Sequence, residues 1–386
     1  MAPMLMERAS DLRDFVGSVA ELRDPVGVLS ITIGIEPGAT TGGTPAWEIA
    51  LENDLAQLRR DGSLGLATKR GLEETYARLA ELLDPTSTGR GRALYVALGS
   101  GGFHEVTLRR ALPTGARLGP VAHVLPLLEA LDEGTPTGLI MASRDSISLW
   151  ESELEKVTEV DRIELEPWVG DWWPEMKGPA RANPLRGQQT VSQRDRYAHR
   201  IAVAYRHTLD ETSVTLGALA RERCWARAVL AGDPRTVDAL DEVLRNTGLI
   251  TITIGANLEG LRTEEALGRL ETALETLAAQ KSLERIRLVL GEAAADAKGA
   301  CGLTRVLAAL NEARVACLLI DPSRTYVGLV EAGEILRAAD RAKRAVDLTD
   351  LIVSRALSTG AGVIPVPGAA AEHLGSCGGI AALLRW

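Results

Sequence analysis

Cysteine and aromatic side chains are scarce in this chain of 386 residues. Aromatic residues make up 4% of it, and it contains 4 cysteines and 5 histidines. The cysteines Cys224, Cys301, Cys317 and Cys377 show no C-x-x-C spacing and have no clustered histidines near them. This speaks against a structural zinc site and against the disulfide framework of a secreted protein. We therefore expect reduced thiols.

Long apolar runs are absent as well. No stretch approaches the ~18 apolar residues that a membrane-spanning helix needs, and the first residues, MAPMLMERASDLRDF, carry charge by position 7, unlike a secretory signal. Hydrophobic residues at 46% and charged residues at 25% are typical of a globular protein. The sequence predicts a cytoplasmic protein with no membrane partner, and its length predicts two or three domains.

The net charge excludes one class of partner for the molecule as a whole. The 43 basic and 52 acidic residues give a formal charge of -9, which repels phosphate backbones and anionic membranes. Any contact with nucleic acid must therefore be local.

The first 120 residues predict an α/β unit. Residues 26–35 alternate like a half-buried strand, residues 47–83 follow the period of two amphipathic helices, and residues 93–108 predict two strands about the turn at Gly99, Gly101 and Gly102. A strand follows this turn, and the Lys-Ser/Thr ending of a phosphate-binding loop is missing. A hairpin turn is favoured over a phosphate site.

The rest of the chain alternates between helices and strands. We expect a helix over 121–131, strands within 137–153, a long loop over 164–190, a helix with its buried stripe at Tyr197, Ile201, Tyr205 and Leu209, and buried strands near Val229 and Ile252. A helix over 263–280 is followed by predicted strands within 286–294, 316–324 and 361–368. This pattern predicts an α/β fold.

The strongest physical signal is a local excess of positive charge. Between residues 177 and 206 the only acid is Asp195, which leaves a local charge of +6. The basic residues of this window are Lys177, Arg181, Arg186, Arg194, Arg196, Arg200 and Arg206. Such a segment can reach into a phosphate-rich cavity and neutralise its phosphates, which releases counterions. The alternative is a solvated helix face whose arginines pair with carboxylates elsewhere.

At the centre of this window lies the sequence Arg186-Gly187-Gln188-Gln189. A glutamine is neither an acid nor a base at pH 7, so it takes part in chemistry only through hydrogen bonds or its backbone N–H. Gly187 allows close approach of the backbone or a positive φ.

The tripeptide and its context resemble the bacterial branch of the archaeo-eukaryotic peptide-chain release factors. The segment RGQQTVSQRDRYAHRI, residues 186–201, is similar to the Gly-Gly-Gln loop and the basic helix of that family. Three further segments resemble its third domain: ALNEARVACLLI from Ala309, STGAGVIPVPG from Ser358 and LGSCGGIAALLRW from Leu374. The resemblance covers residues 121–386.

The resemblance implies a three-domain architecture: an α/β domain over 1–120, a ribonuclease H-like middle domain over 121–260, and an α/β/α sandwich similar to the L30-type ribosomal protein fold over 261–386. It implies a ribosome partner, bound at the A site near peptidyl-tRNA and ribosomal RNA, with a translation factor such as elongation factor Tu as a further partner. The implied catalytic loop is Gly187, Gln188 and Gln189, and no cofactor or metal is implied.

Gln188 stands where the family has its second glycine. A glutamine takes up the backbone angles of glycine at a cost of about 1 kcal/mol or more. Three hypotheses follow: a peptidyl-tRNA hydrolase, a Balon-like hibernation factor that binds ribosomes without releasing peptide, and an α/β protein unrelated to translation.

Three tryptophans lie close together in the predicted loop. Trp168, Trp172 and Trp173 either stack on bases or pack against their own domain, and we favour packing.

Overall fold

The computed structural model describes residues 5–35, 45–82, 89–143, 146–165, 193–225, 227–246, 249–255, 263–295, 298–331, 334–337 and 345–386. The chain forms two compact units. The first comprises residues 1–135, 153–156 and 278–386, and the second comprises residues 136–152 and 157–277. The three domains predicted over residues 1–120, 121–260 and 261–386 stay a prediction.

The amino-terminal part of the first unit is a four-stranded antiparallel sheet with helices on both faces, in the order β3-β2-β1-β4. Its elements are α1 (Ala9–Ala20), β1 (Arg23–Gly34), α2 (Ala46–Arg60), α3 (Leu66–Leu82), β2 (Gly91–Ala97), β3 (Phe103–Leu108), β4 (Gly115–Val121) and α4 (Leu125–Glu133). The predicted strand, helix pair and glycine-turn hairpin are confirmed.

The prediction that the first strand is half-buried is wrong, because both faces of β1 are covered. Leu29 and Ile31 pack beside α2 and α3 on one face. On the other face Ser30 and Thr32 are also buried. Ser30 Oγ accepts a 2.9 Å hydrogen bond from the backbone N–H of His123, and Thr32 Oγ1 donates to a main-chain carbonyl. These bonds satisfy the polar groups that the alternation had assigned to solvent.

An internal carboxylate occupies the glycine-rich turn between β2 and β3. Asp24 accepts hydrogen bonds from the backbone N–H groups of Val26, Gly27, Gly99 and Ser100, at 2.8 to 3.3 Å. Burial raises the pKa of Asp24, but the four donors outweigh it and hold the pKa below its ordinary value. The donors that would bind an external phosphate are therefore already engaged.

The second unit contains a five-stranded sheet in the order β7-β6-β5-β8-β9. Its elements, with the helix that leads out of it, are β5 (Thr137–Ala142), β6 (Ser146–Glu153), β7 (Lys156–Glu164), α5 (Gln193–Glu222), β8 (Arg227–Gly232), α6 (Pro234–Arg245), β9 (Ile250–Ile254) and α7 (Thr263–Ala294). β5 runs antiparallel to β6 and parallel to β8, and β8 runs parallel to β9. This is the strand order of a ribonuclease H-like sheet, as predicted.

The strand predicted near Ile252 forms as β9, but it is not buried. Ile250 is 37% exposed, and Ile252 and Ile254 are half-buried. β9 is the last strand of the sheet order, so one of its sides has no neighbouring strand within the described residues. The apolar run was typical of a central strand and occurs here at an edge.

The carboxyl-terminal part of the first unit is an α/β/α sandwich, as predicted. Its elements are β10 (Gly299–Cys301), α8 (Leu303–Asn311), β11 (Val315–Ile320), β12 (Val327–Glu331), β13 (Glu334–Arg337), β14 (Val346–Asp347), α9 (Thr349–Ser358), β15 (Gly362–Pro365), the 3₁₀ segment (Gly368–Cys377) and β16 (Ile380–Leu384). The main sheet has the order β10-β16-β11-β15. Leu318 faces α8 and α9, whereas Leu319 faces α7 and the 3₁₀ segment.

The strand predicted within residues 286–294 is wrong, because α7 continues to Ala294. Ile286 and Val289 are buried three residues apart, while Leu288 between them is 57% exposed. This spacing is that of one helix face. Leu288 is an apolar residue on the exposed face of the helix. It therefore hides the helical period in the sequence and makes residues 286–290 look like a strand.

The expectation of four reduced thiols is also wrong. Cys301 and Cys377 form a disulfide, with their Cα atoms 5.0 Å apart and a sequence separation of 76. Cys224 and Cys317 are free. The sheet brings together two cysteines that no sequence motif connects.

One apolar cluster joins both parts of the first unit. It contains Val28 and Tyr95 of the amino-terminal sheet, Leu127 of α4, and Leu318 and Ile352 of the carboxyl-terminal sandwich. Two parts of the chain that are far apart in sequence are therefore buried against each other. None of the helices in the described ranges is both long enough and apolar enough to cross a membrane.

Candidate functional site

The structure divides the predicted site residues into two groups. Four of them, Arg194, Arg196, Arg200 and Arg206, belong to helix α5, although their side chains lie outside the description. The other six lie outside the described residues altogether: Lys177, Arg181, Arg186, Gly187, Gln188 and Gln189. Trp168, Trp172 and Trp173 also lie outside them. The predicted long helix is confirmed, and it begins at Gln193, four positions after Gln189.

Helix α5 has 30 residues, which corresponds to about 45 Å at 1.5 Å per residue. Among the positions whose burial is described, the first buried one is Leu209, and it is followed by Thr212, Ser213, Leu216 and Ala220. This spacing of three and four residues marks one face of the helix. The carboxyl-terminal half of α5 therefore packs against the core of the second unit.

The amino-terminal half of α5 offers exposed positions. Val203 is 55% exposed, and His207 is exposed beside Glu211, with its Nδ1 3.5 Å from the Glu211 carboxylate. Gln193 lies sixteen residues before Leu209, about 24 Å along the helix axis. The first residue of α5 thus lies well away from the first buried position described in this helix.

The carboxyl-terminal end of α5 is held by a buried polar contact. Trp225 Nε1 donates a 2.6 Å hydrogen bond to Glu151 Oε2 of strand β6, and both residues are buried. Arg223 Nη1 lies 3.6 Å from Glu151 Oε1. The backbone N–H of Trp225 donates to the carbonyl of Ala220, which closes the helix end. A buried carboxylate with one hydrogen-bond donor and one ion-pair partner fixes this end of the helix to the sheet.

Close packing around the indole requires a glycine in the neighbouring strand. A Cβ atom at Gly138 of β5 would lie 2.4 Å from Cε3 of Trp225. Next to it, Arg227 Nε of β8 donates a 2.8 Å hydrogen bond to Thr137 Oγ1. Trp225 therefore lies against β5 without the space that a larger side chain at position 138 would need.

At the carboxyl ends of β5 and β8 the backbone makes a second tight contact. Gly232 has φ +126°, and a Cβ atom there would overlap the carbonyl oxygen of Ala142. Asp233 immediately precedes α6, and its Oδ2 accepts hydrogen bonds from the N–H and hydroxyl of Thr236. The carboxyl ends of adjacent parallel strands are a common place for binding loops in open α/β sheets.

The anchor formed by Glu151 and Trp225 was not predicted from the sequence. One signal does exist, because Ile147, Leu149 and Glu151 share a face of β6 by the two-residue period of a strand. An acid on the buried face of a strand needs a partner. The sequence does not indicate which residue supplies it. Within the described ranges, no group of three His, Cys, Asp or Glu side chains is arranged to hold a metal ion.

Comparison with known proteins gives one family match and several structural neighbours. Residues 123–248 match the model of bacterial archaeo-eukaryotic release factor family 10. No curated protein matches the chain.

The structural neighbours align over most of their length. An archaeal translation termination factor, aRF1, is 20% identical with a TM-score of 0.26 and 99% of each chain covered. Pelota from Archaeoglobus fulgidus is 14% identical with a TM-score of 0.36, over 100% of this chain and 94% of Pelota. Dom34 from S. cerevisiae is 11% identical with a TM-score of 0.38, over 99% and 94%. These TM-scores lie below 0.5, so the site described above depends on its own geometry and on the family match.

The matched residues include the whole ribonuclease H-like sheet except β9, the helices α5 and α6 packed on it, and the anchor between Glu151 and Trp225. They also include every basic residue of the window and the sequence Gly187-Gln188-Gln189. The resemblance inferred from the sequence is confirmed for this segment: residues 123–248 match the model of bacterial archaeo-eukaryotic release factor family 10.

Proposed function

We propose that this protein binds the A site of the ribosome in the cytoplasm and hydrolyses peptidyl-tRNA on stalled ribosomes. The single observation that supports this most is the family match over residues 123–248, which contains the Gly-Gln-Gln sequence that ends four positions before the start of helix α5. A helix of about 45 Å, packed on the sheet only from Leu209 onward among its described positions, is suited to carry a loop away from the body of the domain.

The proposed reaction is ester hydrolysis by water. Gln189 orients a water molecule through its amide and backbone N–H, the water oxygen bonds to the ester carbonyl carbon, and the bond to the tRNA oxygen breaks. That tRNA oxygen takes up the proton. Glutamine contributes position rather than proton transfer, since it does not titrate. Gly187 gives the loop the freedom to approach the ester, and the reaction needs no cofactor.

The basic residues hold RNA in this proposal. Arg194, Arg196 and Arg200 follow the loop along α5, and Arg206 lies further along the same helix. Lys177, Arg181 and Arg186 precede the loop in sequence. Each side chain that neutralises a phosphate of ribosomal RNA or of the tRNA acceptor end releases counterions, so that binding weakens as salt is raised. A molecule with a total charge of -9 then depends on this segment for its attraction to RNA.

A translation factor accompanies the protein on the ribosome in this proposal. The yeast neighbour Dom34 is described as interacting with Hbs1, and an archaeal Pelota is described as ribosome-bound with ABCE1. By analogy, we propose a factor such as elongation factor Tu as the companion of this chain.

A second candidate function is favoured by Gln188. This residue occupies the place of the second glycine of the family's loop, and a side chain there restricts the backbone. The protein would then occupy the A site as a Balon-like hibernation factor and release no peptide.

The experiment is peptide release from stalled ribosome complexes with an empty A site, run beside sedimentation with the same ribosomes. For the hydrolase, we expect Gln189→Ala to abolish release and preserve binding, and Gln188→Gly to speed release. The double charge reversal Arg194→Glu with Arg200→Glu should abolish binding. Its matched control is Arg221→Glu, in the last turn of the same helix, which should bind normally.

The outcomes separate the hypotheses. Binding without release by the wild-type protein would favour the hibernation factor. Absence of both would overturn the ribosome proposal and leave an α/β protein that acts outside translation.

A further inference from the structure

The Cys301–Cys377 disulfide joins β10 and the 3₁₀ segment, two weakly supported elements of the carboxyl-terminal sandwich. Cys301 ends β10, a three-residue strand at the edge of the sheet. Cys377 ends the ten-residue 3₁₀ segment. Runs of 3₁₀ helix longer than three or four residues are uncommon, because their hydrogen bonds are poorly aligned. Neither element has the length to be stable through its own backbone bonds.

The 3₁₀ segment covers one face of the main sheet. Leu374 is fully buried, and Cys377 is almost so. Leu374 packs in a cluster with Ile286 of α7, Leu319 of β11 and Ala381 of β16. Loss of order in this segment would therefore expose the face of the sheet that α7 also contacts. Gly378 and Gly379, both at positive φ, connect the segment to β16, so the chain can hinge there without a side-chain penalty.

The two cysteines differ in exposure. Cys301 is half-buried, whereas Cys377 is 2% exposed. A small thiol can therefore reach Cys301 first. The third cysteine of this cluster, Cys317, is free, and burial raises the pKa of its thiol. A thiol that stays protonated is a poor nucleophile, so Cys317 does not compete for the disulfide.

We propose that Cys301 and Cys377 form a redox-sensitive latch that orders the 3₁₀ segment and β10 in the oxidised protein and releases them in the reduced protein. The cellular setting of this proposal rests on the proposed function, because a protein that works on ribosomes is in a reducing compartment. Disulfides that form there are usually transient and respond to redox conditions.

The reductant in the exchange reaction is a small thiol such as glutathione, and the oxidant in the reverse direction is the disulfide of that thiol. A thiolate attacks Cys301 Sγ, the bond to Cys377 breaks, and Cys377 Sγ leaves as a thiolate and takes up a proton. A second small thiol then displaces Cys301 from the mixed disulfide, which gives two protein thiols and one oxidised glutathione. Oxidation runs the same steps in reverse.

The test uses the purified full-length protein without ribosomes. After equilibration with oxidised glutathione, unfolding and alkylation should modify two cysteines, Cys224 and Cys317. After reduction with dithiothreitol, all four should be modified. Hydrogen–deuterium exchange in residues 299–301 and 368–384 should be at least about tenfold faster in the reduced protein, since the cross-link constrains a loop of 76 residues. Exchange in β5 and β8 should be the same in both forms.

Two double variants control for unfolding and for thiol chemistry elsewhere. Cys301→Ser with Cys377→Ser should show the fast exchange in both redox conditions. Cys224→Ser with Cys317→Ser should keep the full redox response. Four alkylated cysteines after oxidation, or equal exchange in the oxidised and reduced wild-type protein, would overturn the latch. Because no ribosome is present, failure of ribosome binding leaves this result unaffected, and the reverse also holds.

Discussion

His123 and Asp350 are 227 residues apart in sequence, and their side chains meet at 2.6 Å between Nδ1 and Oδ1 in the core region of the first unit. Each side chain is less than one-fifth exposed. The backbone carbonyl of His123 also accepts a hydrogen bond from the Tyr95 hydroxyl. In the sequence this histidine is isolated. The contact joins the start of the family-matched segment to the first turn of α9.

Removing one partner of this pair should destabilise the protein. Asp350→Ala or His123→Ala leaves a partly buried polar group without its partner, at a cost of about 1–3 kcal/mol. The free energy of unfolding in urea measures it. The matched control is Arg117→Gln, which removes an exposed ion pair with Asp347 at 3.8 Å, worth roughly 0–1 kcal/mol. Equal destabilisation by Asp350→Ala and Arg117→Gln would show that burial does not make the His123–Asp350 contact more stabilising than an exposed ion pair.

Asp24 should give the first unit a specific sensitivity to acid. Its folded-state pKa lies below the ordinary value, so its contribution is complete above that ordinary value and is lost as the pH falls through the folded-state pKa. Asp24→Asn keeps the shape of the side chain and removes the negative charge to which four backbone N–H groups donate hydrogen bonds. We expect a loss of about 2 kcal/mol at neutral pH.

The measurement for Asp24 is urea unfolding of wild-type and Asp24→Asn protein between pH 7 and pH 3. The difference in stability between them should shrink toward the acid end. A difference that stays constant over this range would show that the Asp24 carboxylate does not titrate differently on folding. Asp61→Asn is the comparison: hydrogen bonds from Ser63 also lower the pKa of Asp61, but this acid is exposed, so its effect should have the same sign and be much smaller.

The effects of substitutions at Gly138 and Trp225 on the free energy of unfolding should be coupled, because the two residues are in contact. Gly138→Ala places a Cβ against the ring of Trp225 and should cost about 1–3 kcal/mol through overpacking. Trp225→Leu removes both the ring and the hydrogen bond to Glu151. In the Trp225→Leu background, Gly138→Ala should cost much less. A double-mutant cycle on unfolding free energies measures this coupling, and strictly additive costs would refute the contact.

Salt dependence should report how many arginines bind phosphates on the ribosome. Plotted as the logarithm of the binding constant against the logarithm of salt concentration, the slope should become shallower by about one for each phosphate that a variant no longer neutralises. Arg200→Ala should therefore shift the slope, and Arg221→Ala should leave it unchanged. A slope that is the same in both variants would place Arg200 away from RNA.

The sequence predicted local elements better than long-range contacts, for physical reasons that particular residues illustrate. The strands at Gly91–Ala97 and Phe103–Leu108 follow from local alternation and a glycine turn. The segment at Ile286 was mistaken for a strand, because an apolar run has no visible period until its exposed Leu288 is known. The partners of Ser30 lie far away in sequence, so its burial could not be predicted locally.

The same contrast applies to the candidate site. The basic window and its helix were predicted, since charge and helical period are properties of a continuous segment. The bond between Trp225 and Glu151 spans 74 residues, and the disulfide spans 76. Contacts of this kind are set by the arrangement of strands in a sheet, which a single sequence does not specify residue by residue. The roles predicted for Gly187, Gln188 and Gln189 stay predictions.

The core shared by residues 1–135 and 278–386 constrains the order in which the chain matures during synthesis. Tyr95 emerges early from the exit tunnel, but its core neighbours Leu318 and Ile352 are translated more than two hundred codons later. The intervening second unit has its own core and can close first. The face of the amino-terminal sheet that α1 and α4 cover therefore lacks its contacts with the carboxyl-terminal sandwich until translation is nearly finished. We expect the nascent chain to expose the apolar surface of this shared core until then, which favours aggregation.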